Sequence, residues 1–407
     1  MVEMDRLYNR FRRFCAFLIG AVFFVSGLMK LLDPVGAGLV VSEYYRFFGT
    51  DFLLPSSKAV AVAMALLETL LGAALMTGLW RRVIAVISLI FLCGFTVLTI
   101  ILVIFNPVMD CGCFGEAVHL THFQSLVKNL VLCALAVVAF TPVTRLGRPK
   151  RRKYVSFGIV ATSVIVFSVY SLMYIPLVDF TDFKPASRLA VSSMGDMGDM
   201  YEAVFIYEKD GEQKSFTLDN LPDSTWTFVS TVTRKADDAF ENTIDLPFTD
   251  AAGEYRDYLI SSGKAIAISV YDPEKLPSER WENIAGFVPA AYDAGYYPVV
   301  LVSCGSNELE EILSAMLPEE DAGTVLRSSY SADRKTLMTL NRSNGGATYF
   351  HDGYLIRKWS FRNLPSSQDL EKIALDFADE TSAETTTAGN IVFQAFLLYS
   401  FAIILFV

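Results

Sequence analysis

The chain reads as a membrane α-helical protein: an antiparallel four-helix bundle with one or two further transmembrane helices, joined to an extracytoplasmic α/β domain. Three observations predict this. Of 407 residues, 53% are hydrophobic, and the mean hydropathy of +0.39 is too high for an ordinary soluble protein. Apolar runs recur at the length of about 20 residues that a helix needs to cross the hydrocarbon core. Charge is divided along the chain: the formal net charge is −10, yet residues 179–390 carry 18 Lys and Arg against 36 Asp and Glu, a balance of −18, and the remainder carries +8. An acidic soluble half argues against nucleic acid as a partner, because that needs a basic face. The length suggests two or three domains.

Six spans follow from the apolar runs: Phe14–Leu32, Ala59–Leu79, Val83–Phe105, Leu126–Pro142, Val155–Val178 and Ile391–Val407. The first lacks a small-residue cleavage site and is read as a retained helix. The fourth and sixth are short; the fourth extends through Ser125, and the sixth has no charged anchor in its own sequence. Short loops between the first four favour antiparallel neighbours. Arg6, Arg10, Arg12 and Arg13 precede the first span, Arg81 and Arg82 separate the second and third, and six basic residues from Arg145 to Lys153 separate the fourth and fifth. If every run spans, all three groups fall on one side, which the positive-inside rule makes cytoplasmic. The loops 33–58 and 106–125, and the acidic residues 179–390, then face outward, and both termini face the cytoplasm. The expected location is the cell's inner membrane, in contact with its lipids. The predicted division is 1–145 for the helical bundle, 146–178 for a basic loop and fifth span, 179–240 for a linker and hairpin, 241–380 for the α/β domain and 381–407 for the last span.

The chemistry concentrates in Asp110-Cys-Gly-Cys-Phe-Gly115, in the second outward loop. Cys111 and Cys113 are two thiols one residue apart, on the side where disulfides persist. A disulfide between them would close a small, strained ring, and strained disulfides tend to be catalytic or labile. Gly112 permits the torsions such a ring demands. Lys128 and Asn129, near the outer end of the fourth span, lie close to the pair, and a nearby cation favours a thiolate. Glu68 sits mid-span in the second helix, where an ionisable residue is expensive and is either functional or paired. Lys30 and Asp33 lie near the outer interface, and Lys30 is expected to snorkel towards water. A second reading takes Cys111, Cys113, His119 and His122 as a zinc set of accepted ligand types, although the spacing is tighter than in fingers. A third makes the motif a tight glycine-rich turn. Cys15, Cys93, Cys133 and Cys304 lie in or beside apolar runs and are expected to pack as small hydrophobes. No dinucleotide fingerprint, phosphate loop or nucleophile elbow is present.

These pieces resemble the MauE/DoxX family of four-helix membrane proteins over residues 14–142. The resemblance rests on the run from Ser26 to Pro34, on Glu68-Thr-Leu-Leu-Gly72 with Gly78 and Arg82 behind it, on the cysteine motif, and on Lys128-Asn129-Leu130, where the family usually has Arg-Asn. It implies a part in the maturation of disulfide-bearing or redox proteins outside the cytoplasmic membrane. Cys111 and Cys113 would be the redox pair, Lys128 and Asn129 would tune it, and Glu68 would be a proton carrier or a lock for the bundle. A membrane quinone is the candidate cofactor, although no stretch marks a quinone site.

In the acidic half, Ala203–Tyr207 and Lys214–Leu218 flank an Asp-Gly turn and predict a hairpin. Lys264–Tyr271 and Tyr297–Ser303 are continuous apolar strands, as in a sheet covered on both faces. Ser278–Ala294, with Pro289 inside, Glu308–Met316 and Ser367–Ala378, with Ser366 or Ser367 as its cap, are predicted helices. Ala347–His351 and Tyr354–Trp359 form a second hairpin. Residues 183–200 read as linker. The order is α/β. With Asp250-Ala-Ala-Gly-Glu254 ahead of the first central strand, residues 240–380 are similar to the thioredoxin-like fold of TlpA-type reductases and peroxiredoxins. They depart from it at the redox site. Asp272-Pro-Glu-Lys-Leu-Pro277 stands where the thiols would be, and Asn344-Gly345-Gly346 where a cis-proline would be. The resemblance thus implies a docking module without its own redox chemistry. Two functions follow as expectations: thiol-disulfide or electron exchange with an exported protein, or a non-catalytic membrane scaffold or receptor binding a protein partner.

Overall fold

The computed structural model describes residues 2–105, 112–118, 120–141, 151–190, 201–209, 212–216, 226–235, 243–375 and 378–406. Among these, six helical segments are long and apolar enough to cross a membrane: Arg6–Leu32, Asp51–Thr77, Arg81–Phe105, His122–Phe140, Arg151–Met173 and Thr387–Leu405. They correspond to the six expected spans with shifted ends. The chain is a multi-pass membrane protein.

Helix α1 (Val2–Leu32) is followed at once by α2 (Pro34–Phe47), which occupies the stretch expected to be an outward loop. Asp33 caps α2 by accepting a hydrogen bond from the Gly36 amide at 2.9 Å, and Pro34 fills the first helical turn. Both are ordinary helix-start signals. α3 (Ser57–Thr77) ends at Gly78, which takes the left-handed conformation at φ +73°. α4 (Arg81–Phe105) precedes the short extended stretch β1 (Cys113–Glu116). α5 (His122–Phe140) begins with a capping box in which Thr121 and Gln124 exchange hydrogen bonds, so the fourth span starts four residues before Leu126.

α1, α3, α4 and α5 share one core, built from Ile19 and Phe23, Leu71 and Leu75, Ala85 and Leu92, and Leu132 and Ala136. α1 and α3 cross in close contact. A Cβ on Gly72 would stand 2.6 Å from the Gly20 carbonyl oxygen, and one on Gly20 would stand 2.8 Å from that of Gly72. Small residues at a membrane crossing let backbones meet, where packing replaces the missing hydrophobic drive. At the α1 start, buried Arg12 donates to the carbonyls of Val138 at 3.3 Å and Ala139 at 3.1 Å, closing the C-terminal end of α5. Cys15 is buried and Cys133 half-buried, as expected. Cys93 is exposed, because α4 packs along one side only.

α6 (Arg151–Met173) lies beside the last span, with Phe167 stacked on Phe396 at 4.8 Å. The anchor for that span comes from outside it: Lys153 donates to the Ile404 carbonyl at 2.8 Å and Ser156 to Ile403 at 2.7 Å. A cation there satisfies orphan carbonyls and opposes the helix dipole.

The acidic half holds β2 (Arg188–Leu189), β3 (Tyr201–Lys209), β4 (Glu212–Phe216), β5 (Thr227–Lys235), β6 (Thr243–Ile244), β7 (Phe248–Thr249) and β8 (Lys264–Val270). These are followed by α7 (Ser278–Asp293), β9 (Tyr297–Val302), α8 (Ser306–Met316), α9 (Glu319–Arg327), β10 (Ser329–Ala332) and α10 (Arg334–Leu340). The chain continues through β11 (Gly346–His351), β12 (Tyr354–Trp359), α11 (Ser367–Leu375) and α12 (Ala378–Phe406), which contains the last span. One sheet has the order β6-β2-β12-β11-β8-β9-β10-β7. Its strands β8, β9 and β10 run parallel, and β11 and β12 return antiparallel. A separate sheet has the order β4-β3-β5.

The apolar run of β8 serves both faces in alternation. Ile266, Ile268 and Val270 join Trp281, Ile284, Leu309 and Leu370 on one side. Ala265 and Ala267 join Phe248, Leu337, Leu340 and Phe350 on the other, together with Val35 of α2. A helix of the membrane region therefore helps cover the sheet. Residues 183–190, expected as linker, are built into this structure: Phe183 and Leu189 are buried, and β2 pairs with β12 and β6. The expected hairpin strands β3 and β4 are antiparallel neighbours, and their Asp-Gly turn lies outside the described residues.

The crossing of α1 and α3 is testable. Gly72→Leu overpacks it and costs about 1–3 kcal/mol. Gly94→Leu, on α4 with nothing within 4 Å, serves as the neutral control. Unfolding in mixed micelles should separate the two variants.

Candidate functional site

Glu68, on α3, is only 4% exposed. α1 presents Ser26 and Lys30 to it, four residues apart and so on one face. Lys30 Nζ reaches Glu68 Oε2 at 2.6 Å, and Ser26 Oγ lies 2.7 Å from Oε1. Lys30 was expected to snorkel to water; it turns inward instead, 5.3 Å from the Phe95 ring centroid. The reason is Glu68: removing one member of a buried pair leaves an uncompensated charge.

Ser26 Oγ also lies 2.6 Å from the backbone carbonyl of Cys113. A hydroxyl carries one proton and therefore donates to one acceptor at a time. Ser26 Oγ thus stands between two acceptors, and the three residues form a hydrogen-bonded chain from the middle of a membrane helix to the backbone of the cysteine motif.

Cys111 and His119 lie outside the described residues. The zinc alternative is therefore described only at Cys113, buried on β1, and at His122, the first residue of α5. Gly112 has φ +64°, and a Cβ there would stand 2.7 Å from Val40 Cγ1 on α2. Glycine is needed both for the torsion and for the approach of α2. The Gly115 amide donates to the Gly112 carbonyl at 3.2 Å, turning the motif back on itself. Lys128 Nζ lies 5.0 Å from the Phe114 ring centroid, which brings the cation beside the residue that follows Cys113. Asn129 points into the helices and donates to Thr99 Oγ1 at 3.3 Å. Lys128 and Asn129 therefore serve different neighbours: one the loop, the other α4.

The cysteine loop also touches the sheet region. Arg342, just after α10, is buried and donates through Nε to Asp33 Oδ2 at 2.9 Å, with Nη2 at 2.7 Å from the same oxygen. Its Nη1 donates to the Met338 carbonyl at 3.0 Å, and Nη2 lies 3.3 Å from Glu116 Oε1 on β1. One guanidinium thus joins the α1–α2 corner, the end of the cysteine motif and the sheet region. Nothing in the sequence pattern singles out Arg342; only its two distant carboxylate partners do. A second buried pair, Lys358 with Asp179 at 2.5 Å, ties β12 to the chain leaving α6. Burial pulls the Lys358 ammonium below its ordinary value, against the opposing pull of Asp179.

The loop after β8 and the turn before β11 are stapled by Asn344. Its Oδ1 accepts from the amides of Tyr271 at 2.9 Å and Asp272 at 3.2 Å, and its Nδ2 donates to the Asp272 carbonyl at 2.9 Å. Cys304 is buried at the end of β9, and burial, with Glu308 adding to it, pushes its thiol up to about 11. It is therefore a poor nucleophile at neutral pH.

This geometry sets the frame for the comparisons with known proteins. Residues 8–142 match the family model of methylamine utilisation protein MauE. The MauE-like stretch includes α2 through α5, most of α1, and every residue of the chain from Ser26 through Glu68 to Cys113. Residues 201–236 match a domain of unknown function, DUF8463, and span the strands β3, β4 and β5. No curated protein and no solved structure matches the chain.

Two outcomes are expected. Arg342→Met strands Asp33 without its cation and destabilises the fold by about 3–5 kcal/mol. Lys335→Ala, which breaks the exposed pair with Glu43, costs under about 1 kcal/mol. Hydrogen exchange in α2 checks both. Site-resolved alkylation of native protein should place the titration of Cys304 near pH 11.

Proposed function

We propose that this protein exchanges disulfides or electrons with exported proteins through Cys111 and Cys113. The observation that carries the reading is the buried chain Lys30–Glu68–Ser26, which ends on the backbone of Cys113. Disulfide chemistry moves protons with electrons. An oxidised Cys111–Cys113 pair accepts two electrons from two partner thiols, the partner's disulfide forms, and protons are taken up or released at the thiols. A buried carboxylate, linked through the Ser26 hydroxyl to the Cys113 backbone, supports that reading by placing an acid-base group near the motif. Glu68 is the proton carrier, Lys128 is the cation beside the loop, and Asn129 holds the start of α5 against α4. A membrane quinone is the candidate that returns the pair to its oxidised state.

On this reading the first four spans form an antiparallel bundle in the inner membrane. The basic ends of α1, α4 and α6 lie on the cytoplasmic side, and the cysteine loop and residues 179–390 lie outside. The sheet region is a thioredoxin-like module for docking, with Asp272–Pro277 in place of redox thiols. The parallel strands β8 and β9 joined by α7, the antiparallel hairpin β11–β12, and the meeting of the Asp272 loop with Asn344 support that assignment.

A second reading is a non-catalytic scaffold that binds a protein partner. It is favoured by the absence of cysteine from the Asp272 loop and by the buried, weakly acidic Cys304.

A membrane-impermeant maleimide, applied to intact cells with and without prior reduction, tests the exchange reading. Labelling of Cys111 and Cys113 only after reduction is expected, and Cys111→Ser or Cys113→Ser should abolish oxidation of a small dithiol. Full exchange in both variants overturns it. The double variant Lys30→Met with Glu68→Met replaces a buried pair by apolar side chains and should keep the fold. Exchange should nevertheless fall about 100-fold, as for loss of a general acid-base group. Unchanged exchange would make Glu68 a lock for the helices only.

A further inference from the structure

A cavity of about 700 Å³ lies between the end of the membrane helices and the sheet region. Its size is that of a small-molecule site. Its lower wall is formed by α2, the stretch before α3 and the last residues of α6; its upper wall is formed by the Asp272 loop, α10, the Asn344 turn and residues near Phe361. Seven cationic side chains line it against one carboxylate, Asp272. Three of the seven are accounted for: Arg334 and Lys275 pair with Asp272, and Arg342 with Asp33. Arg46, Lys58, Arg280 and Arg362 have no carboxylate within ion-pair distance among the described residues.

We propose that this cavity binds a phosphate-bearing amphiphile of net negative charge, with the phosphate held between the two walls. Four cations without an ion-pair partner among the described residues line one open cavity and focus positive potential there, with Asp33 acting on Lys58 from beyond ion-pair distance. Their concentration is the more telling because residues 179–390 carry a net −18. Two of the four stand on each wall: Arg46 and Lys58 on the membrane side, Arg280 and Arg362 on the sheet side. Arg280 is held in place by its 4.4 Å contact over the Phe361 ring and by donation to the Asn344 carbonyl at 3.3 Å, with the rest of its fork free. Guanidinium forks match phosphate oxygens in geometry as well as in charge. The amphiphile follows from the remaining lining. Val35 and Leu39 of α2, with Leu54, Leu172 and Met173 at the ends of two apolar spans, make an apolar floor. The site does not depend on any thiol, so it stands or falls apart from the exchange reading.

The test uses the full chain in detergent, followed by native mass spectrometry during titration with phosphatidylglycerol and, separately, with phosphatidylcholine of the same acyl chains. Inorganic phosphate is added as a competitor. Phosphatidylglycerol should bind about tenfold or more tightly than phosphatidylcholine, a difference that the double variant Arg280→Gln with Arg362→Gln should remove. Arg46→Gln, on the opposite wall, should weaken binding independently, which guards against a folding defect in the double variant. An unchanged unfolding midpoint checks this directly. Persistence of lipid binding in millimolar inorganic phosphate identifies the lipid as the source. Displacement by phosphate, with the same loss in the variants, keeps the phosphate site and assigns it to a free phosphate compound. Equal binding of both lipids, or wild-type affinity in the double variant and in Arg46→Gln, overturns the proposal.

Discussion

The structure depends on one buried guanidinium. Arg342 meets Asp33 where α1 gives way to α2, and reaches Glu116 at the end of the cysteine motif. Asp33 in turn caps α2 through the Gly36 amide, and α2 lends Val35 to the core of the sheet. Without the cation, the α2 cap and the end of the motif would each present a carboxylate to a poorly solvated junction. Desolvation makes such a pair weak as a source of net stability, yet breaking it by removing one partner leaves a buried charge unpaired. The helical region and the sheet region are therefore joined by charge matching as well as by apolar contact, and the cysteine loop is held at the join.

A second ionic group lies deeper. Lys30 and Glu68 neutralise one another between α1 and α3, close to the crossing where Gly20 and Gly72 let the backbones meet. Close packing excludes water, which strengthens the pair and leaves Ser26 as the polar route from Glu68 to the motif. Position gives this pair its interest. Through Ser26 it reaches the backbone carbonyl of Cys113 as well as joining two helices.

The junction has a third consequence. The loop after β8, the Asn344 turn and α2 face one another across a cationic cavity, so the surface of the sheet region that carries no thiols is turned towards the membrane helices. Arg342 lines this cavity and also reaches Asp33 and Glu116, the last residue of β1.

The sequence by itself indicated the six membrane helices, the strands β8 and β9, the pairs β3–β4 and β11–β12, and the residues of the cysteine motif. Apolar length, continuous apolar runs and Gly or Asp-Gly punctuation are local signals, each contained within a single element or turn. Two further signals were equally local: Asp33-Pro34 opens α2, and Thr121 with Gln124 boxes the start of α5. Short strands such as β2 were not legible, since two residues carry no period and form only because Phe183 and Leu189 find a core. Only the tertiary structure decided that Lys30 turns inward to Glu68, that Lys153 anchors the last span, and that Arg342 bridges Asp33 and Glu116. These partners stand 38, 251, 309 and 226 residues apart. A charge in a sequence states what must be compensated; which distant group compensates it depends on where folding leaves each one after water has been removed.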